Sequence, residues 1–233
     1  ALSKIPLNYW HTDNWYFFKT SLNCIFDCSY CYLKWAFKNN IQVYFVNYND
    51  IKEEIKKVIT SSQPFPSLGE TEQDQKNKNI RFYSSDYSDN LWANKINNFI
   101  EEFVPFFEEQ ENCMMEIRSK STNIKDILDL WFIPKNTEFA FSLNPQILIE
   151  KYENKTPNLY ERIKAINILI EKWYKVGLRF LPLLEVENYQ EIYKEFIGYI
   201  KENIDISKIH SSFATWLLYT KDDYNNILKK YPR

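Results

Sequence analysis

Three cysteines, Cys24, Cys28 and Cys31, fall within eight residues in the run Cys24-Ile25-Phe26-Asp27-Cys28-Ser29-Tyr30-Cys31. Spacers of three and then two residues let one loop wrap three corners of an iron-sulfur cubane. A [4Fe-4S] cluster held in this way keeps one iron without a protein ligand. That iron can bind the amino and carboxylate groups of S-adenosylmethionine (SAM) and pass an electron to its sulfonium. SAM then breaks into methionine and a 5'-deoxyadenosyl radical, chemistry that belongs to the cofactor while the protein positions and shields it. The competing metal is zinc, but structural zinc takes four protein ligands, and neither His11 nor His210 stands at a finger spacing. A third reading, three buried structural cysteines, leaves the spacing and the interleaved aromatic residues without a reason.

Two further features bear on this chemistry. Cys113 lies outside the triad, at the mouth of an expected strand, and reads either as a free buried cysteine or as a hydrogen-atom donor or fourth ligand. His11 and His210 have no partner in sequence and read as packing or surface residues. Three of the four cysteines are too tightly spaced for a secreted disulfide framework, so the expected setting is the cytoplasm or another reducing intracellular compartment.

The elements that must position the cysteines alternate. Trp15 to Thr20 reads as a buried strand delivering the chain into the cysteine loop, and Asp50 to Thr60 as a helix with Ile51, Ile55, Val58 and Ile59 on one face. Gln63 to Lys78, with Pro64, Pro66 and Gly69, reads as the longest loop. Strands follow at Ile80 to Tyr83, Met114 to Ile117, Glu138 to Leu143, Leu178 to Leu184 and Phe213 to Tyr219. Helices are expected at Asn90 to Phe107, Asn123 to Leu130, Tyr160 to Tyr174, Tyr189 to Asn203 and Lys221 to Lys230. Such alternation predicts an α/β fold, a parallel sheet with outer helices, open or curled into a partial barrel, with its chemistry at the carboxyl ends of the strands.

Composition narrows the function. With 233 residues, 45% of them hydrophobic and 26% charged, the chain has the balance of a globular protein with one sizeable core. We therefore expect one domain over 1–233 with its core at about 14–219. Only three glycines, Gly69, Gly177 and Gly198, set aside glycine-dependent phosphate loops and with them ATP and NAD. A net charge of -2 lacks the basic excess of a general nucleic-acid binder, although a local basic patch is compatible with it. No run approaches the roughly 20 apolar residues of a membrane span, and the start has no secretory pattern, so no membrane partner is expected.

The segment Cys24 to Leu33 resembles the radical SAM signature, and its Tyr30-Cys31-Tyr32-Leu33 ending resembles the spore photoproduct lyase branch in particular. Later segments are similar in the same order: Phe82-Tyr83-Ser84-Ser85-Asp86-Tyr87-Ser88-Asp89, Glu116-Ile117-Arg118-Ser119-Lys120-Ser121, Phe141-Ser142-Leu143-Asn144, Tyr160 to Ala165 and Val176 to Phe180. The resemblance, from about residue 15 to 200, implies a partial (β/α)6 radical SAM barrel with a [4Fe-4S] cluster and SAM at its open carboxyl-terminal face. It further implies that Ser84, Ser85 and Asp86 meet the SAM amino group, where many radical SAM enzymes have Gly-Gly-Glu. Lys120 would pair with the SAM carboxylate, Ser142 and Asn144 would face ribose hydroxyls, and Ser88 is a further polar candidate. Tyr30 and Tyr32 flank the last cysteine and would relay a hydrogen atom, the alternative being packing around the cluster. Against these roles stand plainer ones: Asp86 and Ser88 as caps of the helix near Asn90, and Lys120 as a solvated strand-end lysine. An electron donor of flavodoxin or ferredoxin type is implied as partner.

Two departures shape the expected function. Spore photoproduct lyases carry, at the position of Asp86, a cysteine that donates a hydrogen atom to the product radical, which a carboxylate cannot do. They also continue beyond the position of Arg233 with an extension that helps engage damaged DNA, a grip this chain is expected to lack. The reading is therefore a radical SAM enzyme that abstracts hydrogen from a nucleic acid or another macromolecule such as a protein. One alternative is a DNA repair lyase in which Cys113, or Tyr30 and Tyr32, replaces the missing donor. Another is a non-catalytic iron-sulfur binding or assembly module, against which Lys120, Ser142 and Asn144 weigh.

Overall fold

A computed structural model of the chain describes residues 2–4, 15–37, 39–61 and 80–216, and beyond them 221, 222, 225 and 229. His11 and the expected Gln63 to Lys78 loop lie outside these residues. So does most of the expected helix from Lys221, although its four described positions are helical. The strands are β1 (Leu2–Lys4), β2 (Trp15–Phe18), β3 (Ser21–Leu22), β4 (Val43–Tyr44), β5 (Ile80–Ser84), β6 (Cys113–Ser119), β7 (Thr137–Ser142), β8 (Val176–Leu183) and β9 (Ser211–Trp216). The helices are α1 (Leu33–Ala36), α2 (Tyr48–Ser61), α3 (Asn90–Asn97), α4 (Phe99–Glu108), α5 (Lys125–Leu128), α6 (Gln146–Tyr152), α7 (Leu159–Glu171) and α8 (Tyr189–Asn203).

The main sheet runs β1-β2-β5-β6-β7-β8-β9, and β3 pairs with β4 in a separate ribbon. From β2 to β9 every pairing in the main sheet is parallel, which gives a half-barrel of six parallel strands with helices outside; β1 adds an antiparallel edge. No helix among the described residues is long and apolar enough to cross a membrane.

Period-two alternation sorts the two faces of this sheet. Ile80 and Phe82 of β5, Cys113, Met115 and Ile117 of β6, Phe139 and Phe141 of β7, and Val176 and Leu178 of β8 join the apolar core under the helices. Phe18, Phe99, Phe103 and Phe107 pack together there with ring centroids 4.8 to 6.1 Å apart. The intervening Arg81, Glu116, Arg118, Glu138 and Arg179 point to the inner face and bond to one another.

The helix expected from Asn90 to Phe107 is two helices. Asn98 takes the left-handed conformation at φ 50°, which Asn tolerates better than most residues. Just before it, the Asn94 amide replaces backbone bonds of the broken turn: its Oδ1 accepts from Ile100 N–H at 2.6 Å and its Nδ2 donates to Glu101 and Asp126. The 144–159 connection holds α6, with Pro145 as its N-cap at φ -51° and ψ 139°.

Candidate active site

The cysteine loop leaves β3 and is shaped by Asn23 and Asp27, both at positive φ (67° and 51°), a conformation that short polar side chains accept. Asp27 is pinned by Lys34 at 2.9 Å. Across the sequence, Cys28 bridges the backbone of Glu153, and Ser29 N–H donates to the Tyr152 carbonyl at 2.8 Å. The loop is thus clamped to the end of α6. Cys24, Cys28 and Cys31 line one cavity of about 190 Å³ with Asn23, Asp27 and Lys34.

Burial comes first in holding these thiols protonated. Cys24 lies well above the ordinary thiol range through burial, then Asp89 and the other two cysteines. Cys28 is pushed up to about 11 by burial, opposed by Lys120, and Cys31 is raised as well. Three neutral thiols on one loop, which would repel one another as bare thiolates, form a donor set that deprotonates when a cationic iron-sulfur group binds. Among the described residues no three His, Cys, Asp or Glu side chains meet closely enough to share a single metal ion. A cubane does not require that, since each thiolate meets a different iron. The donor set fits the cluster.

The turn after β5 faces this loop. Ser85 sits at φ 70°, a left-handed conformation costing about 1 kcal/mol in a residue with a Cβ, and its Oγ accepts from Asn90 N–H at 3.3 Å. The turn brings Asp86 to Tyr32, whose hydroxyl donates to the Asp86 carbonyl at 2.8 Å and lies 3.5 Å from Oδ2. Burial raises the Asp86 carboxyl, opposed by Arg118 and Lys19. Asp86 and Ser88 do not cap the following helix. Asp89 does, accepting from Trp92 N–H at 2.9 Å.

Asp89 also accepts from Ser119 Oγ at 2.7 Å and from Lys120 N–H at 2.9 Å, tying the end of β6 to the end of β5. Lys120, fixed at its backbone, places its ammonium 5.7 Å from the Tyr30 ring and acts electrostatically on Cys28, Cys31 and Glu153. Its ammonium is thus turned toward the cysteine loop. The Tyr30 hydroxyl donates to Glu153 at 2.5 Å.

Other expected site residues are placed differently. Ser84 is buried and turned to the Glu116 carbonyl at 3.2 Å. Ser88 shares a 2.5 Å hydrogen bond with Ser21. Asn144 is fully buried, donating to Glu153 at 3.1 Å and accepting from Tyr193 at 3.3 Å, so its amide is engaged in supporting the clamp. Ser142, at the carboxyl end of β7, makes no side-chain hydrogen bond among the described residues. Cys113 opens β6 at its amino end, opposite Ile80, whereas Ser119 and Lys120 stand at the other end. At about 3.3 Å per residue, a seven-residue strand puts it about 20 Å from the site, too far for a hydrogen-atom donor or cluster ligand.

The family model described as spore photoproduct lyase matches residues 12–233. The chain belongs to the spore photoproduct lyase family. Curated lyases from Clostridium acetobutylicum and Bacillus subtilis are 22% and 24% identical to it over 211 and 214 residues, in each case 90% of this chain and 58% of the relative. A spore photoproduct lyase double mutant with bound AdoMet and dinucleoside spore photoproduct superposes with a TM-score of 0.79 at 20% identity, covering 97% of this chain and 62% of that one. A spore photoproduct lyase complexed with dinucleoside spore photoproduct gives 0.78 at 19%, with the same coverage. The chain therefore spans less than two thirds of the length of these relatives, and it shares their fold.

Within the spore photoproduct lyase fold, sequence reasoning missed the buried polar residues that hold the site. Glu153 and Arg162 are fully buried and 2.5 Å apart, with Arg162 also donating to the Ser142 carbonyl at 2.8 Å. Burial would raise the Glu153 carboxyl, but Lys120, Arg162 and the Tyr30 hydroxyl hold it down at about 2. On the inner face Arg179 bonds Glu116 through two nitrogens at 3.2 and 2.7 Å and reaches Glu138 at 3.2 Å. Asp89 was legible as a cap, standing just ahead of the periodic run from Asn90. Glu153 and Arg162 carried no local signal.

Proposed function

We propose that this chain reductively cleaves SAM at a [4Fe-4S] cluster held by Cys24, Cys28 and Cys31, and directs the resulting radical at a nucleic acid in the manner of spore photoproduct lyase. One arrangement carries the reading: Asp86 from the end of β5 meets Tyr32 and Lys120 from the end of β6 lies near Tyr30, the two tyrosines that flank Cys31, so a carboxylate and an ammonium stand beside the cysteine loop for the two charged ends of an amino acid. When bound, the cluster supplies one electron to the SAM sulfonium, from a donor of flavodoxin or ferredoxin type.

The residues of the chain do the rest. Lys120 takes the SAM carboxylate, Asp86 its ammonium, and Ser142 offers a hydroxyl to the ribose, with Ser85 beside Asp86 as a further donor. Asn144, Glu153 and Arg162 keep the loop and the Tyr30 phenol in place. Tyr32, bonded to Asp86, is the other phenol beside the site. The nucleic-acid substrate rests on the family and on the dinucleoside bound by its solved members.

Lesion repair in the narrow sense is the second reading, favoured by the same relatives. With Asp86 where they have a donor cysteine and Cys113 at the far end of the sheet, the hydrogen atom would come from Tyr32 or Tyr30. Anaerobic reconstitution, dithionite reduction and chromatography of 5'-deoxyadenosine beside a Cys28→Ala control test the first step. Spore photoproduct dinucleotide then tests the second. Deoxyadenosine from the parent chain alone supports SAM cleavage, and none from a chain that holds cluster and SAM overturns it. Recovery of the restored thymidine dinucleotide supports repair; SAM cleavage without it leaves another nucleic-acid target.

A further inference from the structure

The inner face of the half-barrel sets Arg81, Arg118 and Arg179 against Glu116 and Glu138. Arg179 is 1% exposed and fully engaged by both glutamates and by the Ser211 and Leu178 carbonyls. Arg81 takes the second oxygen of Glu138 at 3.1 Å. Arg118 differs. Its Nε and Nη2 both donate to Glu116 Oε1, at 2.9 and 2.7 Å, an oxygen that Arg179 already bonds. Its Nη1 makes no hydrogen bond among the described residues, and its side chain is 30% exposed.

Tyr83 and Phe213 lie beside this guanidinium, their ring centroids 5.7 and 5.2 Å from its central carbon. Asp86 feels Arg118 but forms no ion pair with it among the described residues. One cation thus shares a claimed carboxylate, lies near two aromatic rings, and keeps one N–H edge unused. Such a group is unfavourable when desolvated alone and favourable when an oxyanion completes it; the guanidinium fork suits phosphate in particular.

We propose that Arg118 is a binding residue for a substrate oxyanion, and that the oxyanion is a backbone phosphate of a nucleic-acid strand. The assignment rests on the nucleic-acid reading of this site. It places a phosphate on the inner face, on the side of Asp86, and leaves the SAM carboxylate to Lys120.

The test uses the cluster-reconstituted chain with inorganic phosphate, a single-stranded deoxyoligonucleotide and SAM as separate probes, comparing the parent with Arg118→Gln and Arg118→Lys. Phosphate affinity should fall tenfold or more in Arg118→Gln and to an intermediate value in Arg118→Lys, which also decides the matter if the glutamine variant fails to fold. Oligonucleotide affinity should fall in parallel, with the log-log salt dependence shallower by about 0.7, one phosphate contact on a single strand. SAM affinity should stay within twofold. Phosphate binding absent from the parent, or equal in the variants, overturns the proposal. A matching loss of SAM affinity, with SAM displacing phosphate, also overturns it by making the oxyanion the SAM carboxylate. Phosphate binding that depends on Arg118 in a chain that binds no oligonucleotide keeps the oxyanion site and rejects the nucleic-acid reading instead.

Discussion

The backbone of Cys28 pairs with that of Glu153, whose buried carboxylate is held 2.5 Å from Arg162. Neutralising one partner of a buried pair leaves the other charge uncompensated, at about 3–5 kcal/mol. Glu153→Gln should therefore lose about that much stability in urea unfolding and bind less iron on reconstitution. A Glu153→Gln/Arg162→Met double variant should recover part of the stability, since no lone charge remains.

Cys24→Ala, Cys28→Ala and Cys31→Ala should each abolish cluster assembly, read as iron per chain and the charge-transfer absorption of the cluster. Cys113→Ala should load iron like the parent, because Cys113 lies at the amino end of β6. It should lose only stability, about 1 kcal/mol for a small buried side chain.

Asp86→Ala and Lys120→Met should each weaken SAM binding by about 10- to 100-fold, the effect of about 1.5–3 kcal/mol for a hydrogen bond to a charged group. Equilibrium dialysis against labelled SAM would show it. Ser88→Ala should change SAM affinity by less than about twofold, a change of about 0.4 kcal/mol, because its hydroxyl is engaged by Ser21.

Acid should destabilise the inner-face network. Burial alone would raise the Glu138 carboxyl, but hydrogen bonds from His210 and Ser211 and the Arg179 charge hold it well below its ordinary 4.5. The unfolded chain then binds the proton more readily, so this contribution is full above pH 4.5 and is lost as pH falls below it. Thermal unfolding between pH 7 and 3 should show the decline. Glu138→Gln should be less stable at pH 7 and should decline less.

Gly177 adjoins that network. A Cβ there would lie 2.5 Å from Glu138 Oε1 and 2.6 Å from Arg179 Nη1. Gly177→Ala should lower stability by about 1–3 kcal/mol, as overpacking does, with the loss read as a lower urea midpoint at unchanged slope.

Much of the chain could be read from local pattern. The cysteine loop is one short segment, so its spacing already limits what it can bind. Strand and helix periods repeat within a few residues, so the α/β alternation followed from them, while the choice of a partial barrel over an open sheet came from the family resemblance. Helix breaks were less legible: Asn97 and Asn98 sit inside an unbroken apolar period, and only the Asn94 side chain, by supplying the missing bonds, shows why the chain turns there.

What the sequence by itself determined was the spacing of Cys24, Cys28 and Cys31 in one short loop, the strand ends that carry Asp86, Lys120 and Ser142, and the fold that gathers them. Only the tertiary structure decided which polar residues face the site and which are buried supports. Asn144 and Ser142 stand two positions apart in the sequence, yet Asn144 is tied to Glu153 and Tyr193 while Ser142 has no side-chain partner among the described residues. Cys113 and Lys120 share one segment but lie at opposite ends of β6. The physical reason is that a side chain's period fixes the face it takes, whereas its partners depend on the register of neighbouring strands and on which loop folds back over them. Arg162 meeting Glu153, and Glu153 meeting Cys28, are settled by that closure.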